Sequence, residues 1–119
     1  MKYSQKSDPA KPCPIDYAFQ RLGGKYKARI LWNLYENKVL RYGELRRIIY
    51  GVTPKMLTQT SRELENDNLI NRQVYTEVPP RVEYTLTETG KSIIPFIGHL
   101  LNWAIGQMGA AQTDQTTFE

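Results

Sequence analysis

The chain has 119 residues and carries 16 Lys and Arg against 12 Asp and Glu, a net charge of +4. Its 40% hydrophobic and 24% charged residues fit one globular domain, which excludes wholesale disorder and leaves little room for a second domain. A single cysteine and a single histidine exclude an intrachain disulfide and a closed zinc site built from one chain, so no metal or cofactor is expected.

Residues 1–12 are polar and aperiodic and read as a flexible arm, without the apolar core of a signal peptide. Ile15, Ala18, Phe19 and Leu22 follow at helical spacing after Pro14, and Gly23-Gly24 closes that short helix. A second helix is predicted from Tyr26 to Asn37, with Ile30, Leu31 and Leu34 on one face. Val39 to Tyr42 reads as an extended link. Glu44 to Tyr50 reads as a third helix, with Leu45, Ile48 and Ile49 inward, Arg46 and Arg47 outward, and Gly51 at its end.

The next helix has a clear start, because Thr53 can cap it and Pro54 suits the first helical position. Leu57, Thr60, Ser61 and Leu64 form its inner stripe, leaving Lys55, Thr58, Gln59 and Arg62 together on the outer face. Asn66-Asp67-Asn68 ends it. Two strands follow, Leu69 to Val78 and Arg81 to Leu86, with Pro79-Pro80 between them. Thr87 can cap a last helix whose apolar face holds Ile93, Ile97, Leu100, Leu101, Ala104 and Met108. Pro95 bends that helix or marks its start. Residues 109–119 read as a polar tail.

The charge is unevenly placed. From Gln20 to Arg62 there are ten basic residues and two acids, a net +8, while the remainder of the chain is at −4. An oriented basic surface of this kind suits a polyanionic partner. The longest apolar stretch, Ile93 to Ile105, is broken by Pro95, His99 and Asn102 and falls short of the roughly 20 apolar residues of a membrane span. No membrane association is expected, and the chain is expected in the cytoplasm.

Three helices followed by a two-stranded hairpin is the order of a winged helix-turn-helix, mainly α with a small β-hairpin wing. The third helix of that set would enter the major groove of double-stranded DNA. Lys55 and Arg62 can reach phosphates or guanine edges, Gln59 can pair with adenine, and Thr58 can meet a thymine methyl or a phosphate. Enzyme chemistry is not supported. A catalytic Cys needs a base, and the one histidine, His99, lies in an apolar context that suits a core or interface residue. Gly23-Gly24-Lys25 is not a phosphate loop, because Phe19 and Tyr26 stand where that motif needs Gly and Ser or Thr.

Longer motifs are more specific. Cys13-Pro14-Ile15 with Leu22-Gly23-Gly24-Lys25-Tyr26, Gly51-Val52-Thr53-Pro54-Lys55-Met56-Leu57, and Val78-Pro79-Pro80-Arg81-Val82-Glu83-Tyr84 together resemble the HxlR-type winged helix regulators of bacteria. The likeness spans Cys13 to Trp103. It departs at Tyr26, where the family usually has Trp, at Asn68, where a Gly is common, and at Ser61, where a Leu is common and the inner stripe is weakened. The resemblance implies a homodimeric transcription regulator on a near-palindromic operator. It would dimerise through its N- and C-terminal helices, with the domain proper over residues 13–108. It implies a DNA-binding set of Arg47, Thr53, Lys55, Thr58, Gln59, Arg62, Pro80 and Arg81. It also implies a dimer interface of Ile93, Ile97, Leu100, Leu101, Ala104 and Met108. The alternative is a winged-helix module used for protein interaction, which apolar or acidic residues on the outer face would favour.

Cys13 precedes a helix, where the dipole favours thiolate. In many members of the resembling family the cysteine at this place senses oxidants or electrophiles. With no second cysteine, the chemistry open to it is a Cys13–Cys13 bridge across a dimer, a mixed disulfide with a small thiol, or alkylation by an electrophile. The other reading is a small hydrophobe at a helix start.

Overall fold

The computed structural model describes residues 11 and 13–114, with side chains described through Gly109. The expected arm of residues 1–12 lies outside the described residues except for Lys11, and residues 115–119 of the expected tail also lie outside them. The described residues form five helices and three strands: α1 (Pro14–Leu22), α2 (Lys27–Asn37), β1 (Leu40–Arg41), α3 (Tyr42–Ile48), α4 (Pro54–Asn66), β2 (Ile70–Tyr75), β3 (Arg81–Leu86) and α5 (Glu88–Asp114).

The core forms where the apolar stripes of the helices meet the inner face of the hairpin. Ile30, Leu31, Leu34, Leu45, Leu57 and Leu64 are fully buried and pack with Ile49, Ile70, Tyr84, Ile94 and Ile97. Ser61 sits inside this stripe, also buried, and donates its hydroxyl to the Leu57 carbonyl at 2.7 Å. That bond removes the cost of a polar group in the stripe, so the departure from Leu is accommodated within the helix itself.

Both predicted caps are present. The Thr53 hydroxyl accepts from the Met56 amide at 3.1 Å, with Pro54 at the first helical position, and the Thr87 hydroxyl accepts from the Gly90 amide at 2.9 Å. Thr87 also donates to the Asn68 carbonyl at 2.7 Å, which ties the start of α5 to the end of α4. Asn68 closes α4 with φ 60, the left-handed conformation that Asn tolerates and that Gly serves elsewhere. Gly90 lies so close to strand β2 that a Cβ there would overlap the Leu69 carbonyl.

Several expectations need correction. The link at Val39 to Tyr42 contains a third strand. β1 pairs antiparallel with β3, Leu40 opposite Tyr84 and Arg41 opposite Glu83, giving the sheet order β1-β3-β2. Two residues are too few for a period-2 pattern to show. Helix α3 begins at Tyr42, earlier than expected, because the Glu44 carboxylate accepts from the Arg41 amide at 2.8 Å. It ends at Ile48, which turns outward, while Leu45 and Ile49 join the core. Strand β2 stops at Tyr75 rather than Val78. Helix α5 runs through Pro95 to Asp114, so Gly109–Asp114 of the expected tail is helical.

The expected interface stripe on α5 also divides in two. Ile97 is buried in the protomer's own core and Ile93 packs against that core, as does the unpredicted Ile94. Leu100, Leu101 and Met108 are exposed, along with Phe96, Trp103 and Ile105. These residues project from several sides of the helix, so α5 leaves the body of the domain soon after Gly98. His99, read as a core or interface histidine, is exposed in the protomer.

Candidate nucleic-acid interface

The turn from α3 into α4 is fixed from beneath. The Tyr26 hydroxyl donates to the Gly51 carbonyl at 3.2 Å, and Arg29 donates to the Tyr50 carbonyl at 3.2 Å. Gly51 sits at φ 85, which allows the reversal that Thr53 then caps. These bonds run from the start of α2 to the turn, so the direction in which α4 points is set by anchors on α2 and not by the loop alone.

The outer face of α4 brings the four expected residues together. Lys55, Thr58, Gln59 and Arg62 line one shallow hollow along the helix, with Pro54 at one end and Asn66 at the other. Lys55, Gln59 and Arg62 are exposed, and Thr58 is half-buried. Among the described residues, neither Lys55 nor Arg62 has a carboxylate within ion-pair distance. Thr53 is spent in part on its cap, so its place at the helix start is structural as well as exposed.

Glu63 shares this face and was not singled out by the sequence. It accepts from Lys27 at 3.2 Å and from Gln59 at 3.4 Å. The hydrogen bond from Lys27, followed by that from Gln59, holds its carboxyl below the usual carboxylate range. Gln59 therefore has a resting partner on its own helix. No pattern of one-letter codes announces this, because Lys27 comes from another helix.

A second hollow lies between α3 and the wing. It is lined by Arg47 and Gly43 from α3, by Arg41 and Glu44 beside them, and by Pro79, Pro80 and Arg81 from the wing. The structure thus gathers Arg47, Pro80 and Arg81 as expected, and adds Arg41. The Tyr42 hydroxyl, in this hollow, donates to the Pro54 carbonyl at 3.4 Å, so the two hollows adjoin at the start of α4.

Arg81 differs from the free wing cation that the sequence suggests. Its guanidinium lies 3.0 Å from Glu77 and 3.1 Å from Glu83, and 4.0 Å above the centre of the Tyr75 ring. Two carboxylates within reach leave the wing base without excess positive charge. Arg47 has no such partner among the described residues. Between Pro80 and the end of β2, Val78 is fully exposed.

Cys13 is the N-cap of α1 and is half-buried, with Pro14 next as the first helical residue. Its carbonyl accepts from the Tyr17 amide at 2.8 Å, and its side chain makes no capping bond. Helix α1 has no buried residue, and Ile15, Tyr17 and Phe19 are all exposed. Two apolar faces therefore remain open in the protomer, one on α1 and one on the outer half of α5. The α1 stripe is legible at helical spacing, but only the α5 stripe figures among the expected interface residues.

A helix that presents Lys55, Thr58, Gln59 and Arg62 outward, a capped turn anchored from below and a two-stranded wing define a winged helix-turn-helix. The comparisons agree. The family model described as HxlR-like helix-turn-helix matches residues 21–112. An HTH-type transcriptional regulator of Methanothermobacter thermautotrophicus is 52% identical over 91 residues, 76% of this chain and 69% of that protein. The solved structure of the redox regulator HypR in its oxidised form has a TM-score of 0.74 and 37% identity, covering 79% of this chain and 96% of that one. The solved structure of the HTH-type transcriptional regulator ytcD has a TM-score of 0.77 and 40% identity, covering 82% and 99%.

The chain belongs to the HxlR-like helix-turn-helix family. It is a transcriptional regulator with a DNA-binding helix-turn-helix, not an enzyme. None of its described helices is long and apolar enough to cross a membrane.

Proposed function

We propose that the chain acts as a homodimer that reads a near-palindromic operator, with α4 of each protomer in the major groove of one half-site. The observation that carries this reading is the outer face of α4, where Lys55 and Arg62 stand unpaired beside Thr58 and Gln59. Lys55 and Arg47 take phosphates, Gln59 and Arg62 read base edges, and Thr53, Thr58 and Pro80 lie against the backbone. Arg81 meets flanking phosphates once a carboxylate gives way. The exposed apolar faces of α1 and of α5 beyond Gly98 support self-association, since both would otherwise stay in water. On this reading Leu100, Leu101 and Met108 belong to the interface, with Ala104 between them. Ile93 and Ile97 support α5 from the core side.

Cys13 supports a second level of this reading. It is accessible at a helix N-terminus, and a solved relative is named a redox regulator. A Cys13–Cys13 bridge, a mixed disulfide with a small thiol, or alkylation would alter α1 and with it the pairing of the protomers.

The test is fluorescence anisotropy with duplexes from upstream of the protein's own gene, between 50 and 200 mM salt (about the range over which phosphate binders lose most affinity). Binding is expected to weaken steeply with salt. Gln59→Ala and Arg62→Ala are expected to relax sequence choice, by about 1–3 kcal/mol for a bidentate base contact. Unchanged operator preference in both variants would overturn the assignment of the reading face. Repeating the titration on reduced and mildly oxidised protein, with Cys13→Ser as control, decides the thiol reading. Equal affinity in both states retires it.

A further inference from the structure

A further hollow lies away from α4 and the wing tip. A cavity of about 890 Å³ opens between α2, β3 and α5. Its walls are apolar and aromatic: Trp32 and Tyr35 from α2, Leu86 from β3, and Ile94 and Pro95 from α5. The Trp32 and Tyr35 rings lie 5.2 Å apart at 47°, forming a bent aromatic wall. Gly98 keeps the indole open, because a Cβ there would sit 3.6 Å from the ring. The only charged side chains in the lining are Lys38 and Lys91, and both are cationic.

We propose that this cavity is a binding site for a small aromatic carboxylate. A flat ring finds two aromatic walls and aliphatic side chains, and its carboxylate finds ammonium groups at the rim. Lys91 also holds Glu88 at 3.0 Å, but both groups are exposed, and such a pair contributes little in water. Lys38 has no carboxylate partner among the described residues and carries most of the recognition. It is the C-cap of α2, with φ 69, and its amide donates to the Leu34 carbonyl at 2.8 Å.

The location gives the site a use, and this step rests on the DNA-binding reading. Strand β3 leads back to Arg81 in the wing, and α5 carries the exposed apolar residues beyond Gly98. A ligand wedged there touches the far end of β3 from Arg81, at Thr85 and Leu86, and the stretch of α5 that leads into its exposed part. It can therefore shift affinity for DNA without approaching it.

The first experiment uses the full chain without DNA, so its failure is distinct from a failure of the DNA reading. 2-Naphthoate and 2-naphthylmethylammonium, matched in ring and opposite in charge, are titrated by calorimetry. The naphthoate is expected to bind saturably at one site per protomer, and the ammonium compound at least tenfold more weakly. Lys38→Asn, which keeps a residue tolerant of positive φ, is expected to weaken naphthoate about fivefold. Gly98→Leu, which suits a helix and fills the space over Trp32, is expected to abolish binding while leaving the melting temperature unchanged or higher. No naphthoate binding, equal affinity for both charges, or full binding to Gly98→Leu would each overturn the proposal. The last outcome would place the probe on the exposed α5 face instead. Operator affinity measured with saturating naphthoate then reports the coupling, and an affinity unchanged by it would remove the regulatory step while leaving the site.

Discussion

Removing one charge from the wing tests how this part of the molecule meets DNA. Arg81, Glu77 and Glu83 together carry a net charge of −1, with the guanidinium 3.0 Å from one carboxylate and 3.1 Å from the other. Glu77 is 52% exposed and Glu83 22%, so Glu77 is the partner that an approaching phosphate can displace. Glu77→Gln keeps the shape and removes the charge. In water, a unit charge about 7 Å from a phosphate interacts by roughly 0.6 kcal/mol. Screening at physiological salt offsets part of the sum over neighbouring phosphates. A net gain of about 0.5–1 kcal/mol follows, or binding roughly two- to fivefold tighter. Anisotropy with an operator duplex and a scrambled duplex reads the effect. Both should tighten alike, because phosphates carry no sequence information. The slope of log affinity against log salt should steepen by about 0.9 if Arg81 gains one phosphate. Weaker binding by Glu77→Gln would refute the reasoning, since Glu77 would then be holding the wing in its binding shape. Arg81→Ala completes the test and should weaken both duplexes equally.

Three further outcomes are expected. Gly90→Ala should destabilise the fold by about 1–3 kcal/mol, because its Cβ would overlap the Leu69 carbonyl where α5 begins, and thermal unfolding measures it. Glu63 is held below the usual carboxylate range by Lys27 and then Gln59, so its contribution to stability is fully present above the unfolded value and is lost as pH falls through the folded one. Glu63→Gln should therefore cost less than about 1 kcal/mol near neutrality and nothing in acid, and a constant difference down to low pH would contradict this. Trp103→Glu, on the exposed part of α5, should weaken self-association by about 2 kcal/mol or more without changing the protomer's fold, as read by sedimentation and circular dichroism.

The elements with strong local signals were legible. Thr53-Pro54 announces α4 because a cap and a first-turn proline act within four residues of chain. Leu57, Ser61 and Leu64 reveal its buried side, and the opposite side follows by geometry. The hairpin was visible in the alternation of Val82, Tyr84 and Leu86. What escaped depends on residues distant in sequence. Strand β1 exists because Leu40 and Arg41 find β3 more than forty residues later, and two residues cannot display a period. On α5, Ile97 and Leu100 are equally apolar, and only the end of the domain beneath them separates core from open surface. Sequence periodicity locates an apolar face but does not say where its partner stops.

Charge is read from the sequence only in bulk. Counting Lys and Arg from Gln20 to Arg62 finds a basic stretch of chain, yet it weighs every cation alike. The fold divides them by what each one touches. Lys27 is committed to Glu63, Arg21 lies 4.0 Å from Asp67, and Arg81 is shared between Glu77 and Glu83. Lys55, Arg62 and Arg47 have no carboxylate in range among the described residues, and all three lie in the two adjoining hollows at α4 and the wing. An already paired cation must break its pair before it can neutralise a phosphate, and so gives up part of the gain. An unpaired cation loses only water and counterions. The acidic residues therefore shape the charged surface as well, by pairing Lys27, Arg21 and Arg81 while Lys55, Arg62 and Arg47 stay unpaired among the described residues.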